Sequence, residues 1–160
     1  MQFGVTLPFV APRVAAELAY EAEQAGWDGV LYWDAIAMAE DASFDPWVVL
    51  AAMAMRTQRV RLGPMLTPVA RRRPWKLARE ALTLDHLSAG RAVLPVGLGA
   101  LDDGGFGKVG EPTDRKSRAQ KLDEGLAIID GLWRGEPFSF QGQHYQVCLL
   151  YTSDAADDLT

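Results

Sequence analysis

Short apolar segments return about every thirty residues along this chain, at Phe3–Leu7, Gly29–Trp33, Val60–Leu66 and Ala92–Val96. Each is brief and rich in Val, Leu or aromatic residues, the composition of strands buried on both faces. Patterns of helical period lie between them. Ala15, Leu18, Ala19, Ala22 and Ala25 form one face at i, i+3, i+4 and i+7 spacing, and Gly26 offers a stop. For a second helix, Asp45 is a natural N-cap and Pro46 takes the first helical position, where its missing N–H costs nothing. Pro74 opens a third helix that closes at Ser88-Ala89-Gly90. A fourth runs from Arg115 to Trp133 with Leu122, Leu126, Ile129 and Trp133 on one face.

Strand–helix alternation at this period predicts parallel strands joined by right-handed crossovers. A closed eight-fold barrel and an open doubly wound sheet both satisfy it, and periodicity alone does not separate them. The run from Val60 to Ala100 is one complete strand–helix–strand unit. In either architecture the chemistry belongs at the carboxyl ends of the strands. After the fourth helix, PFSFQGQHYQV (137–147) alternates apolar and polar residues around Gly142 and predicts a small hairpin.

The last thirteen residues, CLLYTSDAADDLT, continue none of these patterns. From Cys148 through Asp157 they match the translation of a sequencing-library transposase adapter. The natural domain is therefore expected at 1–147, with 148–160 a non-native tail; the alternative is an ordinary acidic tail. The tail carries three aspartates and the only cysteine.

Composition narrows the classes. At 160 residues the chain is the size of one domain, nearly half apolar and about a quarter charged, as soluble globular proteins are. No apolar run approaches the roughly 20 residues that cross a bilayer, so no membrane partner is expected. A net charge of −5 argues against a nucleic-acid surface. One cysteine allows no intramolecular disulfide and no cysteine-rich metal site. MQFGVTLPFVAPR lacks a basic region ahead of an apolar stretch, so it does not read as a secretory signal, and a cytoplasmic setting is expected.

Several stretches resemble the luciferase-like family of flavin-dependent oxidoreductases: LYWDAI (31–36), DPWVVLAAMAMRTQRVRLG (45–63), RRRPWKLAREALTLDHLSAGR (71–91), VGLG (96–99) and the segment from Gly110 to Tyr145. The 71–91 stretch is the most specific. The resemblance implies an α/β fold, a (β/α)8 TIM barrel, of which this chain supplies about the first four β/α units. It also implies an FMN or deazaflavin (coenzyme F420) ring at the carboxyl ends of the strands. The cofactor-binding candidates there are Asp34, Met65, Thr67, Gly97, Leu98, Gly99 and Ala100.

Each candidate has a plain alternative. Asp34 accepts a hydrogen bond from the flavin or a neighbouring loop, or it caps the loop after the second strand. Thr67 donates to the flavin, or caps its loop before Pro68. Gly97 and Gly99 admit a planar ring close to the backbone, or make a tight turn. The resemblance further implies a non-proline cis peptide in the third strand, expected between Pro64 and Met65. Arg71, Arg72 and Arg73 contact an anionic cofactor tail or substrate, or form a solvated loop or subunit contact. Trp33 and Trp47 line an aromatic pocket or pack in the core. His86 and His144 read as structural. Asp102-Asp103-Gly104-Gly105 lacks ligand partners at suitable spacing, so no metal is expected.

The departures matter as well. Deazaflavin-dependent sugar-phosphate dehydrogenases of this family carry a histidine after the strand-two aspartate and a glutamate after the strand-four glycine. Here Ala35 and Ala100 stand in those places, and neither transfers a proton. The leading expectation is therefore a monooxygenase using reduced FMN and O2 on a small organic substrate, its catalytic residues unassigned. The alternative is deazaflavin-dependent hydride transfer by another route, with the full-length parent a homo-oligomer in either case. A third, non-enzymatic expectation is an inert half-barrel, or one completed by a partner, because unpaired strand edges favour association.

Overall fold

Three of the expected strands lie side by side and parallel in the computed structural model, which describes residues 1–36, 44–101 and 104–150. They are β1 (Gly4–Leu7), β2 (Gly29–Trp33) and β3 (Arg61–Met65), in the order β1-β2-β3. The register pairs Leu7 with Tyr32, Tyr32 with Pro64 and Trp33 with Met65, so the carboxyl ends are level. Alternation along the strands puts Val30, Tyr32, Leu7 and Leu62 on one face. There they share a core with Ala15, Ala19, Val49, Leu50, Met53 and Leu77 of the helices.

The third and fourth strands differ from the expected spans. The segment expected from Val60 to Leu66 divides at a cis peptide between Met65 and Leu66, one bond beyond the expected position. Beyond it, β4 (Thr67–Pro68) pairs in parallel with β5 (Val96–Gly97). Upstream, the fourth strand touches the third only through Leu62 and Ala92, with Val93 N–H donating to the Leu62 carbonyl at 2.8 Å. The approach is so close that a Cβ on Gly63 would lie 2.3 Å from the Val93 carbonyl oxygen. Ladder pairing is broken in between because Leu66 turns aside and its methyls fill the space beside Gly97.

All four helices start where local chemistry places them: α1 (Pro12–Gln24), α2 (Pro46–Arg56), α3 (Pro74–Leu87) and α4 (Arg115–Trp133). Proline occupies the first turn of the first three. The Asp45 carboxylate caps α2 by accepting from Trp47 and Val48 N–H at 3.0 and 3.1 Å, and Asp114 caps α4 through Ser117 N–H at 2.8 Å. Two helical faces are rotated from expectation. Glu23 is buried at the end of α1 while Leu18 is exposed, and α4 buries Arg118, Gly125, Ile128 and Ile129 while Trp133 is half-exposed. For α4 the reason is two-sided cover: it packs against both α3 and a hairpin.

That hairpin is β6 (Phe138–Gln141) and β7 (Gln146–Leu150), antiparallel as expected and extending to Leu150. Its turn is held by one side chain. The Glu124 carboxylate of α4 accepts from the backbone N–H of Gln143, His144 and Tyr145 at 2.8, 3.0 and 3.1 Å. His144 also bonds Gln120 at 3.2 Å, so it packs on α4 as the sequence reading expects. Burial raises the Glu124 pKa, and the three N–H donors more than offset this, holding it below the ordinary carboxylate value. A lowered folded-state pKa contributes stability above the unfolded value that is lost as pH falls through the folded one. Acidification below the carboxylate range is therefore expected to release the hairpin, read from the amide resonances of His144 and Tyr145. Glu124→Gln should abolish that acid step, and a step that survives in this variant would contradict the assignment.

At the amino ends of the strands a buried carboxylate and a half-buried guanidinium tie separate segments together. Glu23 accepts from the N–H groups of Gln58, Arg59 and Val60 at 2.5–3.1 Å. The Arg91 guanidinium donates to the carbonyls of Ala54, Thr57, Val60 and Ser88 and to the Thr57 hydroxyl, at 2.7–3.1 Å.

Candidate functional site

At the opposite, carboxyl ends the chain brings together the ends of β1, β2, β4 and β5. Trp33, Met65 and Leu66 are 43%, 37% and 36% exposed there, large apolar side chains left open where strands end. Phe9, in the loop after β1, stacks at a tilt on Trp33 with centroids 6.5 Å apart and meets Tyr32 edge-on at 6.3 Å. The buried Tyr32 hydroxyl donates to the Val10 carbonyl at 3.1 Å and fixes that loop. Trp47, by contrast, is a core residue.

Asp34 is engaged by a neighbouring loop. Arg72 grips its carboxylate through Nε at 3.1 Å and Nη2 at 2.7 and 2.8 Å, and Arg71 Nη2 adds a bond at 3.2 Å. The Asp34 and Arg71 side chains are 1% and 2% exposed. The arginine cluster is thus neither a solvated loop nor an open anion site at these two positions. It turns inward from the 3-10 turn Val69–Arg71 and locks the end of β2 to the start of α3. Arg73 instead lies over the Trp75 ring at 5.9 Å.

The remaining candidates divide by depth. Met65 and Ala100 are open to solvent, Gly97, Leu98 and Gly99 are half-buried, and Thr67 is fully buried. The Thr67 N–H donates to the Pro95 carbonyl at 2.8 Å, while its hydroxyl has no partner among the described residues. Gly99 adopts φ +74°, and a Cβ there would lie 2.7 Å from Pro68 and 3.0 Å from Phe106, so only glycine fits. Ala35 is half-buried and Ala100 exposed, and neither carries an acid or base of its own. His86 is exposed on α3, away from these ends. Asp102 and Asp103 lie outside the described residues.

Three residues of this region carry no sequence signal. Leu66 fills the gap beside Gly97. Phe106, fully buried, lies under two guanidinium groups, with Arg71 at 5.5 Å and Arg118 at 5.2 Å from its ring centre. Arg118, from α4, donates to the carbonyls of Leu98 and Gly99, both at 3.0 Å. An arginine one turn into a polar helix start has nothing in its spacing to mark it as buried. The region as a whole presents half-exposed aromatic and aliphatic side chains, while the space left by the missing Cβ atoms is taken by Leu66 at Gly97 and by Pro68 and Phe106 at Gly99, as the tight-turn alternative expects.

Comparisons with known proteins bear on the family. A family model described as luciferase-like monooxygenase matches residues 1–156. An F420-dependent glucose-6-phosphate dehydrogenase of Nakamurella multipartita is 36% identical over 84% of this chain and 41% of its own length. The monooxygenase RslO1 of Streptomyces bottropensis is 30% identical, with a TM-score of 0.79 over 96% of this chain and 50% of that one. The FMN-bound oxygenating constituent of 3,6-diketocamphane monooxygenase from Pseudomonas putida, at 22% identity and a TM-score of 0.80, shares the fold over 99% of this chain and 45% of that one. This chain thus spans half or less of each of these proteins. With a family model matching nearly the whole length, the chain belongs to the luciferase-like family of oxidoreductases.

Proposed function

We propose that this chain is the N-terminal part of an eight-stranded α/β barrel enzyme that transfers a hydride with the deazaflavin coenzyme F420. The observation that carries the reading is the 36% identity to an F420-dependent dehydrogenase over 84% of this chain. The sequential strand order, with no reversal between β1 and β5, supports the barrel. Trp33, Met65 and Leu66 would hold the ring, and the Gly97–Ala100 backbone would line its edge. When bound, the cofactor supplies the redox chemistry; the protein orients the substrate and excludes water. Ala35 and Ala100 hold no proton, so the substrate differs from that of the sugar-phosphate dehydrogenases or is protonated from the other half of the barrel.

A second reading, an FMN-dependent monooxygenase acting with O2 on a small organic molecule, is supported by the 30% identity to RslO1. Titrating the complete gene product with F420 and with FMN, followed by absorbance, separates the two. Tight F420 binding with substrate-dependent reduction of the deazaflavin favours hydride transfer. Retained FMN with substrate-dependent oxygen consumption replaces it with the monooxygenase.

The isolated 160-residue chain is expected to show no turnover with either cofactor, because the second half of the site is supplied by later strands. Steady-state assay of a monomeric preparation checks this, and any turnover above background overturns it. The full-length protein is proposed to be a cytoplasmic homo-oligomer; no helix among the described residues is long and apolar enough to cross a membrane. Residues 148–160 are proposed to be the translated adapter, which independent sequencing of the DNA across codon 147 tests.

A further inference from the structure

We infer that Arg118 is a positioning residue: it turns the backbone of the loop after β5 so that two N–H groups face the cofactor. This rests on the cofactor reading above. Arg118 is 7% exposed and reaches from the first turn of α4, where Asp114 fixes the helix start. Its Nη1 donates to the Leu98 and Gly99 carbonyls, both at 3.0 Å. No carboxylate lies within ion-pair distance of it among the described residues, and its buried Nε has no partner. The guanidinium is therefore spent on two carbonyl dipoles and on the face of Phe106.

Backbone geometry carries the consequence. A trans peptide is planar, and its C=O and N–H point in opposite directions. Drawing the carbonyls of Leu98 and Gly99 toward Arg118 turns the N–H groups of Gly99 and Ala100 away from it. Neither N–H has a hydrogen-bond partner among the described residues. Gly99, at φ +74°, makes two successive carbonyls on one side possible. Adjacent unpaired N–H groups of this kind form a concavity that accepts an electron-rich oxygen. The acceptor is a carbonyl or anionic oxygen on the edge of the flavin-type ring. Arg118 sets the cradle without touching that oxygen.

The experiment is NMR on the complete gene product with labelled backbone carbonyls and amides, in wild type, R118M and R118K. In R118M the Leu98 and Gly99 carbonyl resonances should move upfield while those of β1–β3 stay in place. R118K, which keeps a charge-assisted donor, should retain at least one of the two. Titration with F420 and with FMN should shift the Gly99 and Ala100 amides of the wild type. R118M should weaken that binding about tenfold, the worth of one backbone N–H hydrogen bond to the ring oxygen, with R118K between the two. Unmoved carbonyls in R118M, or equal changes throughout β1–β3, would overturn the inference. Unchanged affinity in R118M would overturn the cradle. A wild type that binds neither cofactor sinks the cofactor reading and the cradle with it, and the carbonyl shifts still decide whether Arg118 orients the loop.

Discussion

Arg91→Ala is expected to destabilise the protein by about 3–5 kcal/mol, the cost of leaving several buried carbonyls without a donor at about 1–3 kcal/mol each. All five guanidinium N–H donors of Arg91 are used, and they reach four carbonyls and one hydroxyl on three separate segments. The acceptors sit at buried positions: Ala54, Thr57, Val60 and Ser88 are at most 3% exposed. Truncation to alanine leaves those carbonyls without donors and too deep for ready hydration. Lysine is no substitute, because an ammonium offers three donors at one point rather than a planar fork. Arg91→Lys should therefore recover less than half of the loss. Urea denaturation measures both variants. A change below about 1 kcal/mol in Arg91→Ala would mean that water reaches the carbonyls after all.

Asp34→Ala is expected to cost about 3–5 kcal/mol, because it removes the carboxylate shared by two largely buried arginines. Arg71 is almost wholly buried and Arg72 largely so, and Asp34 is the carboxylate they share. Glu80 lies 4.0 Å from Arg72 and compensates only in part. Adding Arg72→Met to Asp34→Ala should restore part of the stability, since the double variant strands one fewer charge. Chemical denaturation of the four members of this cycle gives the coupling, and an additive result would remove the pair from the account of stability. Because the ion pair joins the end of β2 to the start of α3, the single variant should also loosen the platform formed by Trp33 and Met65. The carboxylate thus acts on the candidate site through structure rather than by direct contact.

The helices were legible because each rule that starts them is local. Pro46 after Asp45, Pro74, and Asp114 before Arg115 specify their helix starts within one turn of chain. The hairpin was legible for the same reason, from alternation around Gly142. The strand ends were legible through their period, and family resemblance then directed attention to them. What escaped was side-chain depth. Leu18 and Trp133 look like core residues in a helical projection and are not, because what covers a helix is decided by its neighbours. Thr67 reads as a rim hydroxyl and is buried. Arg118 and Glu23, which no pattern along the chain singles out, are buried as well.

The same division holds for the site. By itself the sequence determined the alternating α/β order, the family, and the segments that end at one face, because these follow from residue type and spacing. It also determined that Ala35 and Ala100 hold no proton. Only the tertiary structure decided that Asp34 belongs to Arg71 and Arg72, 37 and 38 residues further on. It likewise decided that Arg118 holds the carbonyls of residues 19 and 20 positions earlier. Hydrogen bonds between buried charges depend on where separate segments meet in space, and no periodicity along one segment records that meeting.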